Sequence, residues 1–167
     1  MTTNRIASAA TALLLVLSTS AWRFVATNQN SLEACPLLTT ADASKALEQS
    51  SQPGKRYMDS DPTFCMWSAD PKMSDSARKV AVNTHSQRAF EFAKKPAITT
   101  IGIEPVSGLG DEAFYQIYPK GQSPFIWVRK GSKAFSIRIL GTKTNSFSIE
   151  QDKAKELMLA KVAVAKL

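Results

Sequence analysis

The sequence predicts one α+β domain, a mostly antiparallel sheet of five or six strands with helices packed on it, one of them at the C-terminus. Three observations carry this. Residues alternate apolar and polar on both sides of Gly131-Ser132, the composition of a two-residue hairpin. Thr39 with Asp42, and Ser148 with Gln151, form capping boxes that open helices near either end. Stretches rich in Pro, Gly, Ser and Asp separate the remaining elements.

Taken in order, Arg5 and the apolar run Ala7 to Leu17 have the layout of a signal peptide, and Thr19 and Ala21 supply a small-x-small site for cleavage after Ala21. The run is too short to span a bilayer. The alternative, an uncleaved segment from Ile6 to Ala26 that tethers the chain to the inner membrane, is interrupted by Trp22 and Arg23. Residues 1–21 are thus read as a signal peptide, 22–31 as a flexible leader and 32–167 as the domain, with the mature chain starting at Trp22.

The Thr39 box opens a helix reaching about Gln49 through Ala41, Ala43, Ala46 and Leu47. Ser50 to Pro62 is a loop, and Phe64-Cys65-Met66-Trp67 reads as a strand with Trp67 on the Cys65 side. Lys79 to His85 alternates as a half-buried strand, and Ser86 N-caps a short helix through Lys94 that Pro96 ends. Ile98 to Val106 is β-rich, and Glu112 to Tyr118 is a further strand before a turn at Pro119-Lys120-Gly121-Gln122. In the hairpin, Lys130 opposite Lys133 places Val128 against Phe135 and Ile126 against Ile137, one apolar face. The other face carries Phe125, Trp127, Arg129, Ala134, Ser136 and Arg138, which either lies under a helix or meets a partner. The terminal helix runs from the Ser148 box to about Lys166, with a stripe of Ala154, Leu157, Met158, Val162 and Ala165 that makes Leu157 a core residue.

The net charge of +7 is spread along the chain and not blocked into runs. It is the charge of a solvated basic surface, which excludes nucleic acid as the expected partner and leaves weak contact with anionic envelope polymers or lipids. Cys35 and Cys65 are the only cysteines, and an even count behind a signal peptide reads as one disulfide. Leu32-Glu33-Ala34-Cys35 fails as a lipoprotein-processing site because of Glu33 and its distance from the apolar run. A bridge closing about thirty residues stabilises by about 3–4 kcal/mol in the chain-entropy model.

Chemistry-bearing motifs are few. Gly108-Leu109-Gly110-Asp111-Glu112-Ala113 fits G-x-G-x-x-A, but a strand follows where the dinucleotide fingerprint needs a helix. Gly108 and Gly110 are instead expected to supply positive φ in a turn, with Asp111 bonding the local backbone. His85 is the only histidine, a strand-end residue, and Asp111 and Glu112 point to opposite sides if on a strand, which argues against an acid–base pair. No catalytic, metal-binding or cofactor-binding set is therefore expected.

The blocks Cys35-Pro36-Leu37-Leu38-Thr39-Thr40-Ala41-Asp42-Ala43, Cys65-Met66-Trp67, Gly108 to Tyr115, and Val128-Arg129-Lys130-Gly131 resemble bacterial secreted and lipoprotein-type envelope domains of unknown function, the domain of unknown function 3558 type, best known from actinobacteria. The resemblance covers most of the mature chain and implies an outline similar to the PsbP-like fold, an antiparallel sheet with helices packed against it. Many such relatives carry a separate lipid-attachment cysteine, which this chain lacks. The resemblance implies no activity and no cofactor. The expectation is a monomeric, non-catalytic binding or interaction module, periplasmic or secreted, with an envelope ligand or protein as its partner. Phe125, Trp127, Arg129 and Arg138 form its candidate face. The alternatives are an accessory subunit of an envelope complex and a hydrolase with an unrecognised site.

Overall fold

In the computed structural model the described residues are 32–119, 122–141 and 148–167. The signal peptide at 1–21, the leader at 22–31 and the centre of the Pro119–Gln122 turn lie outside them. Seven strands form one antiparallel sheet: β1 (Lys55–Arg56), β2 (Phe64–Ser68), β3 (Lys79–His85), β4 (Gly102–Val106), β5 (Glu112–Ile117), β6 (Phe125–Lys130) and β7 (Lys133–Leu140). Their order across the sheet is β1-β2-β3-β7-β6-β5-β4. Helices α1 (Thr40–Leu47), α2 (Gln87–Ala93) and α3 (Ile149–Val164) complete the α+β domain, with a 3-10 turn at Cys35–Leu37.

The strand count is seven rather than five or six. The additional strand, β1, is two exposed residues paired with Cys65 and Met66, and so short and polar a segment has no alternation to detect. Within the 98–106 segment only 102–106 is strand; the Ile101 N–H turns back to the Ile98 carbonyl at 3.1 Å. The other strands and all three helices fall where the alternation and caps place them. Both capping boxes are closed, with Thr39 and Ser148 accepting from the N–H of Asp42 and Gln151 and receiving their side chains in return.

The hairpin register is the expected one: Lys130 pairs with Lys133, Val128 with Phe135 and Ile126 with Ile137. Gly131 supplies φ 59°, which the first position of the primed turns demands. Asp111 bonds here and not to its own loop, accepting from the Gly131 N–H at 2.7 Å. Gly108 and Gly110 take φ 72° and 62° in the preceding turn, and a Cβ on Gly110 would stand 2.5 Å from the Arg129 carbonyl oxygen. That close approach lets the Asp111 N–H reach the same carbonyl at 2.8 Å.

One sheet face builds the main core. Trp67, Val80, Val82, Ile126, Val128, Phe135, Ile137 and Ile139 pack there against Ala43, Ala46 and Leu47 of α1 and Leu159, Ala160 and Ala163 of α3. The Cys35–Cys65 disulfide, Cα–Cα 5.0 Å, ties the 3-10 turn to β2 beside buried Trp67. Such a bond belongs to an oxidising compartment. No helix of the described residues is long and apolar enough to cross a membrane.

The buried stripe of α3 is rotated from the expected one. It comprises Asp152, Glu156, Leu159, Ala160 and Ala163, while Leu157 is only partly buried. The physical reason is Glu156. β6 begins at Phe125, and its pairing with β7 begins at Ile126↔Ile137. The Ile139 N–H lies beyond that pairing and donates instead to Glu156 Oε1 at 3.0 Å. Burial drives the Glu156 carboxyl well above the usual carboxylate range, and Asp152 is raised for the same first reason. Glu156 Oε2 and Asp152 Oδ1 have no hydrogen-bond partner among the described residues.

Two predictions follow from α3. Leu159→Ala should destabilise by about 2–5 kcal/mol in denaturant unfolding, and Leu157→Ala by less than half as much; the reverse order would restore the other stripe. A raised carboxyl contributes stability that is complete below the unfolded value of 4.5 and is lost as pH rises through the folded value. Glu156→Gln, which keeps the acceptor for Ile139 and removes the charge, should therefore be more stable than the native chain at pH ~8. The gap should close towards pH ~4.5 in urea titrations. A loss independent of pH would contradict buried ionisation.

Candidate functional site

Among the described residues the opposite sheet face is only partly covered. Pairing aligns Phe64, Asn83, Ser136, Trp127 and Phe114 in one row across β2, β3, β7, β6 and β5. Neighbouring rows carry His85, Ala134, Arg129 and Glu112 on one side, and Met66, Ala81 and Arg138 on the other. α2 lies over the His85 end, where Phe90 and Ala93 pack with Phe114 and Ala134 and against Trp127. It has seven residues, opened by Ser86 accepting from the Ala89 N–H at 3.2 Å. At about 1.5 Å rise per residue, a helix of that length covers only part of such a sheet.

At the covered end Arg129 is neutralised. Its guanidinium meets Glu112 Oε2 at 3.3 Å and Asp111 Oδ2 at 3.7 Å, and lies 5.8 Å from the Phe90 ring centre. Lys94 of the α2 C-cap joins Glu112 at 2.5 Å. Its hydrogen bond is the largest influence holding the Glu112 carboxyl below the usual range. Asp111 and Glu112 thus converge on one arginine, because β5 begins at Glu112 and Asp111 lies in the turn before it and not on the strand.

Trp127 forms the boundary between covered and open regions. The His85 ring stacks on it at 4.2 Å and 25°, and its Nε1–H donates to Gln116 Oε1 at 3.0 Å. Gln116 in turn donates from Nε2 to the Ala93 carbonyl at 2.8 Å, fastening the end of α2. Between α2 and the indole lies an apolar groove of about 510 Å³, lined by Ser86, Arg88, Ala89, Phe92, Ala93, Gln116 and Trp127. Phe92 stands at its lip, 73% exposed.

Beyond the stacked rings, a second cavity of about 170 Å³ is lined by Phe64, Ala81, Asn83, Phe125, Ser136, Arg138 and Leu140. Arg138 Cζ sits 4.3 Å over the Phe125 ring and 5.9 Å from the Tyr118 ring. Of the four face residues expected from the sequence, Phe125 and Arg138 lie on the uncovered part, Trp127 at its boundary with α2 and Arg129 at the covered end.

Ser136 lies on this face as the hairpin register predicts. Asn83 and Gln116 are not singled out by the sequence: their alternation marks their faces, but only the pairings Asn83↔Ser136 and Gln116↔Phe125 bring them to this floor. Ser136 Oγ lies 2.8 Å from His85 Nε2. Ser136 is nearly fully buried, and desolvation pushes the imidazole down to about 4, so the pair is a polar bridge holding a weak base. The described residues contain no cluster of three or more His, Cys, Asp or Glu that could hold a metal ion.

Comparison with family models, with curated proteins and with solved structures found no match to this chain.

His85 is the only histidine, so its ring resonances are unambiguous. An NMR titration should give a pKa of about 4. Because the folded value is depressed, the stability it contributes is complete above the unfolded value of 6.5 and declines as pH falls towards 4. A titration near 6.5 would mean the ring is solvated and not clamped between Trp127 and Ser136.

Proposed function

We propose that this chain is a non-catalytic binding module of an exported envelope protein, released into the periplasm or beyond by cleavage after Ala21. It holds the apolar part of a ligand between α2 and Trp127. The observation that carries this is the 510 Å³ groove with its largely apolar walls, floored by an indole that is fixed by the His85 stack and the Gln116 hydrogen bond. A rigid aromatic floor with few convergent polar groups suits burial of a hydrophobic ligand segment without chemistry. The disulfide supports the exported setting, as does the likeness of the four sequence blocks to envelope domains of unknown function. A second reading, an accessory subunit whose protein partner covers α2, is favoured by the exposure of Phe92 at 73% and Ile98 at 60%.

A fluorescent long-chain fatty acid titrated into the disulfide-bonded domain tests the reading. Binding in the micromolar range is expected. Ala89→Trp, which fills the groove from a half-buried helix position, should weaken it by about tenfold or more while thermal unfolding stays intact. Binding unaffected by Ala89→Trp and by Trp127→Ala would place the ligand elsewhere, and no binding would favour the accessory subunit.

A further inference from the structure

The 170 Å³ cavity beside the groove differs from it in chemistry. Arg138 is half-buried, yet among the described residues no carboxylate lies within ion-pair distance, and its buried Nε has no acceptor. The other arginine on this face, Arg129, also has a buried Nε without an acceptor but is ion-paired, with two carboxylates around it. Glu156 and Asp152 of α3 favour the Arg138 charge only from beyond ion-pair distance. Burial without a directly bonded acceptor remains costly, and stacking on Phe125 offsets only part of that because it engages the face and leaves the N–H edge open.

Two further polar groups border the same cavity. Asn83 and Ser136 are directly paired across β3 and β7, one step from the Ala81↔Arg138 pair. The small Ala81 opposite the arginine leaves the space that a larger side chain would fill. The Asn83 amide makes no hydrogen bond among the described residues. When His85 donates through Nε2 to Ser136 Oγ, the Ser136 hydroxyl hydrogen can turn into the cavity. A guanidinium edge, an amide and a hydroxyl so grouped form a donor set for one small oxyanion.

We propose that this cavity binds an anionic oxygen group, a carboxylate or phosphate, and that the group is the head of the amphiphile whose apolar body occupies the groove. This rests on the groove reading above. The two cavities are adjacent because Ser136 of one and Trp127 of the other are directly paired. Paired residues stand only about 5 Å apart, well within the length of one lipid-sized molecule. The volume suits a head group and is too small for a chain.

The test compares a long-chain fatty acid, its methyl ester, acetate and inorganic phosphate, titrated calorimetrically into the disulfide-bonded domain at neutral pH. The acid should bind about tenfold or more tightly than the ester. Arg138→Met should abolish that preference by weakening the acid alone. Acetate or phosphate binding that Arg138→Met removes, and that does not compete with the acid's chain, would support the anion site with a free anion as its source. Equal binding of acid and ester, or equal weakening of both by Arg138→Met, overturns the anion site while the groove reading stands. Binding of neither long-chain probe overturns both. Should Arg138→Met fail to fold, Asn83→Ala decides: a reduced acid preference supports the site, and an unchanged one overturns it.

Discussion

The register of the β6–β7 hairpin is the constraint on which the rest depends. Because side chains alternate with period two, a slip of one residue would send Ile126, Val128, Phe135 and Ile137 to the open face and Trp127, Ser136 and Arg138 into the core. Gly131 holds the register through its positive φ, and Asp111 reinforces it from a separate turn by accepting the Gly131 N–H. The glycine pair before Asp111 is thereby explained. Gly110 has to approach the Arg129 carbonyl more closely than any side chain permits, so the second glycine of the G-x-G spacing serves strand docking.

From that register two unequal faces follow. The first is covered by α1, α3 and the disulfide-tied turn, and contains the long aliphatic and aromatic side chains. Its most buried carboxylate, Glu156, is explained by the end of β6, where the Ile139 N–H passes beyond the strand pairing. Among the described residues the second face has only α2, seven residues long. An open sheet face lined by Trp127, Phe125 and Phe64 would be a liability unless something covers it. The stack of His85 on Trp127 and the Gln116 bridge to Ala93 make the boundary of that opening rigid rather than collapsed.

Much of this was legible in the sequence because the signals were local. The Thr39 and Ser148 boxes, the Ser86 cap and the alternation in 79–85, 112–117 and 125–140 each state their own structure within a few residues. The disulfide followed from cysteine count. What was not legible depended on partners distant in sequence. The α3 stripe was read from its apolar residues alone, and nothing local shows that a glutamate should point inward to serve a strand end. β1 exists only because β2 offers it an edge. The candidate face was visible in Phe125, Trp127 and Arg138, but Asn83 and His85 joined it only through the β3–β7 pairing, and the Asp111 and Glu112 partners of Arg129 only through the β5–β6 pairing.

We propose the uncovered end of the second face as a ligand site whose boundary is Trp127. The most direct measurement is a heteronuclear NMR titration of the disulfide-bonded domain with a long-chain fatty acid, following the indole N–H of Trp127 and of Trp67. Trp67, nearly fully buried on the opposite face beside the disulfide, serves as the internal control. The account predicts that the Trp127 indole, the His85 ring and the Asn83 amide move together in a saturable way while the Trp67 indole stays fixed. Saturable shifts at Trp67 and along α1 or α3 with Trp127 unmoved would contradict it.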